Sequence, residues 1–135
     1  MNKMMMLFAA VLLTACASQE DPLTYDTEQA IRDFIEVRQL EKTDKVRTSN
    51  DDQWQDIDQN FLLYLTRHEV FLFEFARRCH ELTEFPVVPD RRDSSNTIRA
   101  RFDTLRGCRI QNIYPLTEDE VAEVRDIGES PGSRN

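Results

Sequence analysis

Glycine is nearly absent, with three in 135 residues and none before Gly107. That excludes the glycine-rich loops whose backbone N–H groups cradle a phosphate or a dinucleotide. Neither a Gly-x-Ser-x-Gly elbow nor a Ser-x-x-Lys motif occurs, so these serine-nucleophile signatures are missing too. Only His68 and His80 are available as histidines for acid–base work near neutrality. No apolar run reaches the roughly 20 residues a helix needs to cross a bilayer. A basic surplus is lacking as well: 17 Lys and Arg face 25 Asp and Glu, a net charge of −8. Nucleic acid and anionic surfaces call for a net basic footprint, so neither suits this chain as its main partner.

What is present begins at the N-terminus. Lys3, the apolar run Met4 to Leu13 and the small residues after it follow the order of a secretory signal. Ser18-Gln19-Glu20-Asp21-Pro22 then ends any hydrophobic helix. Leu13-Thr14-Ala15-Cys16 resembles the lipobox of bacterial lipoproteins. The resemblance implies cleavage before Cys16, a diacylglycerol on its thiol and acylation of the new amino group. The other reading of the same residues is ordinary secretory cleavage near Ala15, with Cys16 incidental. Each buried methylene contributes roughly 0.8 kcal/mol, so two acyl chains would anchor the protein stably. Ala17, rather than Asp, follows the cysteine. By the same resemblance this favours the outer membrane, facing the periplasm. The expected division is a signal peptide over 1–15, lipidated Cys16 and a tether over 16–25, one globular domain over 26–128 and a disordered tail over 129–135. A unit of about a hundred residues can bury one modest core.

With Cys16 lipidated, Cys79 and Cys108 remain. An even pair in an oxidising compartment points to a disulfide. A reactive or metal-bound thiol is the alternative, but the close Cys-x-x-Cys spacing that would argue for it is missing. Charge is uneven along the chain: residues 66–110 hold nine arginines against seven acids, while both flanks are acidic. A basic protein or cationic surface would complement such a domain, and solubility alone would also account for it.

Ala30, Ile31, Phe34, Val37 and Leu40 recur at helical spacing, with Asp26 or Thr27 placed to cap. This predicts an amphipathic helix from Tyr25 to Leu40, with Arg32, Asp33, Glu36 and Arg38 outward. A polar stretch follows, in which Val46 marks a short strand and Trp54 a second short segment. Phe61, Leu65, Leu72, Phe75, Cys79 and Leu82 fit a helical face nearly as well as strands. The alternation of Phe71, Phe73 and Phe75 with Leu72 and Glu74 favours two strands, Asn60 to Thr66 and Val70 to Ala76, turning at Arg67 and His68. Pro86, Pro89 and the polar cluster Asp90 to Ser95 mark a loop. Thr97 to Phe102 is expected as a half-buried strand with Ile98, Ala100 and Phe102 inward, followed by a turn over Asp103 to Gly107. Cys108 to Tyr114 alternates again, with Cys108, Ile110, Asn112 and Tyr114 on one side. Thr117-Glu118-Asp119-Glu120 has the form of a capping box, opening a short helix from Glu118 to Ile127.

These features together resemble a family of small lipoproteins of Gram-negative bacteria catalogued as a domain of unknown function. The residues that carry the likeness are Ile31 to Leu40, Val46-Arg47-Thr48, Trp54, Phe61 to Leu65, Phe71 to Phe75, Cys79, Phe102-Asp103 and Gly107 to Ile113. The likeness implies a paired cysteine, a mostly β core and an envelope address, and no reaction or ligand.

The two His-Glu dipeptides, His68-Glu69 and His80-Glu81, are the best catalytic or metal candidates. Placed at either end of a strand, they would stand too far apart to share a metal. Arg77-Arg78 and Arg91-Arg92 could meet an anionic ligand, although acids lie beside both pairs. The expected architecture is α+β: an N-terminal helix, a small antiparallel sheet of four to six strands, a short C-terminal helix and the Cys79–Cys108 disulfide. The expected role is a non-enzymatic envelope lipoprotein without cofactor, metal or catalytic residues, held on the membrane by its lipid and working through an envelope protein partner. An inhibitor of a lysozyme-like periplasmic hydrolase is one alternative. A metal binder or enzyme using His68 or His80 is the other.

Overall fold

The computed structural model describes residues 26–129. The expected signal peptide, Cys16, the tether and all of the expected tail but Glu129 lie outside the described residues. The chain runs α1 (Thr27–Arg38), β1 (Lys45–Arg47), β2 (Gln53–Asp56), β3 (Phe61–Leu65), β4 (Val70–Phe75), a 3-10 turn (His80–Leu82), β5 (Thr97–Arg99), β6 (Thr104–Leu105), β7 (Cys108–Leu116) and α2 (Glu118–Glu129). A five-stranded antiparallel sheet has the order β2-β3-β4-β7-β6, and β1 pairs with β5 in a separate two-stranded sheet. The α+β expectation holds, including two strands rather than a helix between residues 60 and 76. The Cys79–Cys108 disulfide is formed, with the two Cα atoms 5.8 Å apart.

Local chemistry sets the ends of the elements. Asp26 caps α1 by accepting a hydrogen bond from the Gln29 backbone N–H at 3.1 Å. Thr117 and Glu120 cap α2 reciprocally: each backbone N–H donates to the other's side chain, at 2.8 and 3.3 Å. At the β3–β4 turn, Thr66 N–H donates to the Glu69 carbonyl at 2.9 Å. Arg106 and Gly107 both have positive φ, 51° and 85°. That pair makes the two-residue turn whose twist suits an antiparallel hairpin, and it joins β6 to β7.

Both faces of the main sheet are covered, which is why β3 and β4 are almost wholly apolar. Phe61, Leu63, Leu72 and Tyr114 pack under Ile31 and Phe34 of α1 and Val121 and Val124 of α2. On the other face Leu62, Tyr64, Phe71, Phe73, Phe75, Ile110 and Ile113 pack with Val46, Ile98, Leu82 and the disulfide. The sheet curls around this second cluster. Its outermost strands are β2 and β6, yet Arg106 at the β6–β7 turn sits 5.1 Å from the ring centroid of Trp54 in β2. Trp54 is accordingly a half-buried lid on the core.

Several sequence expectations need correction. The single alternation over Cys108 to Tyr114 is broken by a β-bulge: Glu74 pairs with Asn112, but Phe75 pairs with Ile110. The extra residue, Gln111, reverses the phase, so Cys108, Ile110 and Ile113 share one face while Tyr114 joins the helix face. The strand expected over Thr97 to Phe102 stops at Arg99. Arg101 takes φ 70°, and the buried Asp103 carboxylate accepts the Arg99 backbone N–H at 2.6 Å. The resulting turn leaves Phe102 70 % exposed instead of in the core. On α1, Val37 is 80 % exposed, and Arg32 reaches inward to the sheet rather than outward. Finally, α2 continues through Gly128 to Glu129. A Cβ at Gly128 would lie only 3.1 Å from Ile57 Cγ2, so glycine there permits close packing instead of ending the helix.

Candidate functional site

A sheet covered on both faces leaves little room for charge, yet β4 carries Glu74 on its helix face, buried to 8 % exposure. An unpaired carboxylate there would be costly, and the structure surrounds it with donors. Arg32 Nη1 donates to Glu74 Oε1 at 2.6 Å. Asn112 Nδ2 and the Tyr114 hydroxyl donate to Oε2 at 2.7 and 3.3 Å. Arg32 also bonds Glu28 at 2.9 Å, and the other Glu28 oxygen accepts from Asn60 Nδ2 at 2.8 Å. Burial lowers the affinity of the Arg32 guanidinium for its proton, and the bonds to Glu74 and Glu28 outweigh that, so it is held above its ordinary value. Burial, reinforced by the charge of Glu74, pushes the Tyr114 phenol up to about 12. The network ties α1 to the turn that leads into β3, to β4 and to β7. The bulge makes it possible, because it keeps Asn112 and Tyr114 on the Glu74 side. Sequence reasoning missed the network; a lone acid inside an aromatic strand was the signal available.

Asp58 forms the turn into β3 by accepting from the backbone N–H groups of Asn60 and Phe61 at 2.7 and 2.8 Å. Burial pushes its carboxyl above the ordinary value of 3.8, against the pull of those two bonds. A folded pKa above the unfolded one means that ionisation costs stability: the penalty is absent below pH 3.8 and complete above the folded pKa. Asp58→Asn retains the accepting oxygen and removes the charge. It is expected to be more stable than wild type at pH 7 by less than about 1 kcal/mol, with the advantage vanishing in acid. Paired thermal melts across this range check it, and a variant less stable at pH 7 would refute the sign.

The histidines are not brought together. His68 lies in the β3–β4 turn and His80 in the 3-10 turn, with β4, roughly 20 Å of strand, between them. His68 flanks an open cavity of about 270 Å³ between that turn and the start of α2, beside Glu69, Leu116 and Glu118. His80 is exposed. Its neighbour Glu81 pairs with Arg77 at 2.5 Å, and that bond holds the Glu81 carboxyl down at about 2. Among the described residues, Cys79, Glu81 and Cys108 are the one grouping of three metal-ligand types within 4.8 Å. The bond between the two sulfurs leaves no thiolate to ligate a metal. The arginine pairs are partly neutralised: Arg92 bonds Asp90 at 2.7 Å, whereas Arg78 and Arg91 are exposed.

Two poles emerge. One end of the sheet holds the start of α1 and the disulfide; the other holds the cavity and His68. A family model described as a family of unknown function (DUF6491) matches residues 1–128. No curated protein and no solved structure matches the chain.

Proposed function

The chain belongs to the DUF6491 family of unknown function, and from that premise we propose that its mature form is a lipid-anchored, periplasm-facing module of the cell envelope that acts by interaction. The observation that carries the reading is how the cysteines divide. Cys79 and Cys108 are joined, which suits an oxidising compartment. Cys16 is left over, at the end of a signal-like apolar run and within a lipobox-like tetrapeptide. A role without catalysis is supported by the wide separation of the two histidines and by the engagement of Glu74, Glu81 and Asp103 in ion pairs. The exposed cavity pole is the surface through which such a module would meet a protein partner.

The test is the intact mass and membrane fractionation of the native protein beside Cys16→Ala. Acylated wild type in the membrane fraction and an unacylated, released variant are expected. A wild-type protein that is unmodified and soluble would overturn the reading.

A further inference from the structure

Cys79, Glu81 and Cys108 lie together, with a ligand atom of each within 4.8 Å of the others. Glu81 Oε2 stands 3.2 Å from Cys108 Sγ. A sulfur in a disulfide has no proton to donate, so this contact gives the closed bridge no hydrogen bond. It does suit the reduced state, because thiolate sulfur and carboxylate oxygen are both zinc donors. Arg77 holds the carboxylate in place at 2.5 Å and keeps it ionised, with its carboxyl down at about 2. As a ligand it has no proton to lose near neutrality.

The backbone holds the two cysteines side by side through bonds other than the disulfide. Cys79 N–H donates to the Gln59 carbonyl at 2.6 Å, and three residues earlier Ala76 N–H donates to the Arg109 carbonyl at 3.0 Å. Cys108 pairs with Leu105 in the β6–β7 hairpin. The two Cα atoms are 5.8 Å apart. Two thiolates on a tetrahedral zinc ion, each at about 2.3 Å, stand about 3.8 Å from one another. Rotation of the two side chains reaches that separation over the existing backbone spacing. We infer that Cys79, Cys108 and Glu81 form a site for a zinc-class divalent cation, which the disulfide closes and reduction opens.

Opening the site takes two electrons and two protons from a dithiol. The dithiol becomes a disulfide, the Cys79–Cys108 bond breaks, and each cysteine becomes a thiol. Binding the cation then releases the two thiol protons to solvent. Two thiolates and a carboxylate bring three negative charges to a doubly positive ion, and Arg77 balances the remaining one. Water takes the fourth position, as at zinc sites with three protein ligands. A disulfide oxidant reverses the sequence: the sulfurs give up two electrons, their bond re-forms and the cation leaves. Cys79 and Cys108 are the two ends of the loop that the disulfide closes, so the bound cation takes over as its staple.

The test uses the full chain carrying Cys16→Ala, so that no third thiol competes. The protein is reduced with a phosphine and titrated with Co²⁺ in the absence of air. One Co²⁺ per chain is expected to bind, with the charge-transfer band of cobalt–thiolate bonds and release of about two protons, and Zn²⁺ should displace it. Oxidised protein should show no band. Glu81→Gln should weaken binding at least about tenfold, the scale even of groups that only stand behind a ligand. Hydrogen exchange within residues 80–107, faster once the disulfide is reduced, should slow again when Zn²⁺ is added. Reduced protein without the band would overturn the site, as would a stoichiometry of two chains per ion. Equal affinity in wild type and Glu81→Gln, or exchange that stays fast with Zn²⁺, would leave only two thiols in a loose loop and overturn it as well.

Discussion

Glu74→Ala is expected to lower the unfolding free energy by about 3 kcal/mol, measured by urea denaturation at neutral pH. The size of the loss follows from which partners are left behind. The Arg32 side chain is 41 % exposed, so it can turn back to water and its share is small. Asn112 and Tyr114 have no such exit: each would lose its acceptor in a mostly buried place, at about 1–3 kcal/mol apiece. Glu74→Gln keeps the shape and one accepting oxygen, and should recover roughly half the loss. A second readout separates charge from packing. Because Glu74 helps to hold the Tyr114 phenol near 12, Glu74→Gln should move its ultraviolet titration toward the ordinary tyrosine value. A loss below 1 kcal/mol with an unmoved tyrosine titration would show that Glu74 does not support Asn112 and Tyr114 across β4 and β7.

That network also shows where the sequence stops being legible. The N-terminal caps of α1 and α2, the β3–β4 turn, the proline loop and the cysteine pair were all readable. Each is fixed by chemistry within a few residues: a cap, a turn former or an even thiol count. The bulge at Gln111 was not, because it depends on how β7 meets β4 across the 32 residues between Phe75 and Cys108, and no glycine or proline marks it. Once the phase reverses, Asn112 and Tyr114 fall on the helix face and Glu74 acquires its partners. Phe102 fails for a similar reason. Its alternation with Ile98 and Ala100 is genuine in sequence, but a carboxylate four residues from Arg99 turns the chain before the third apolar position can point inward. Arg32 was misplaced because helical spacing locates a stripe and does not reveal that a buried acid lies across from its edge. As for the site, the individual histidines and arginines were visible, whereas the two-pole arrangement that separates His68 from the disulfide needed the topology.

The disulfide gives the largest effect that depends on compartment. Cys79→Ala/Cys108→Ala is expected to cost about 3.5 kcal/mol in the chain-entropy picture, from the freedom restored to a loop with a sequence separation of 29. Domains of this kind have only about 5–15 kcal/mol in total, so the loss is a large fraction of the whole. It should also be uneven. The closed segment contains the Leu82–Asp90 loop, β5 and β6, and its strand pairing to the rest of the domain is limited to the three β1–β5 pairs and the two β6–β7 pairs, although Leu82, Ile98, Ala100 and Leu105 also reach into the core. Hydrogen exchange in residues 80–107 should therefore accelerate in the variant before β3 and β4 respond, since those central strands are buried on both faces. Adding reductant to the wild-type protein should reproduce this order. If β3 and β4 loosen together with the loop, the disulfide is supporting the entire core. If neither changes and the loss stays under 1 kcal/mol, burial of the two sulfurs is sufficient, and the disulfide no longer argues for an oxidising compartment.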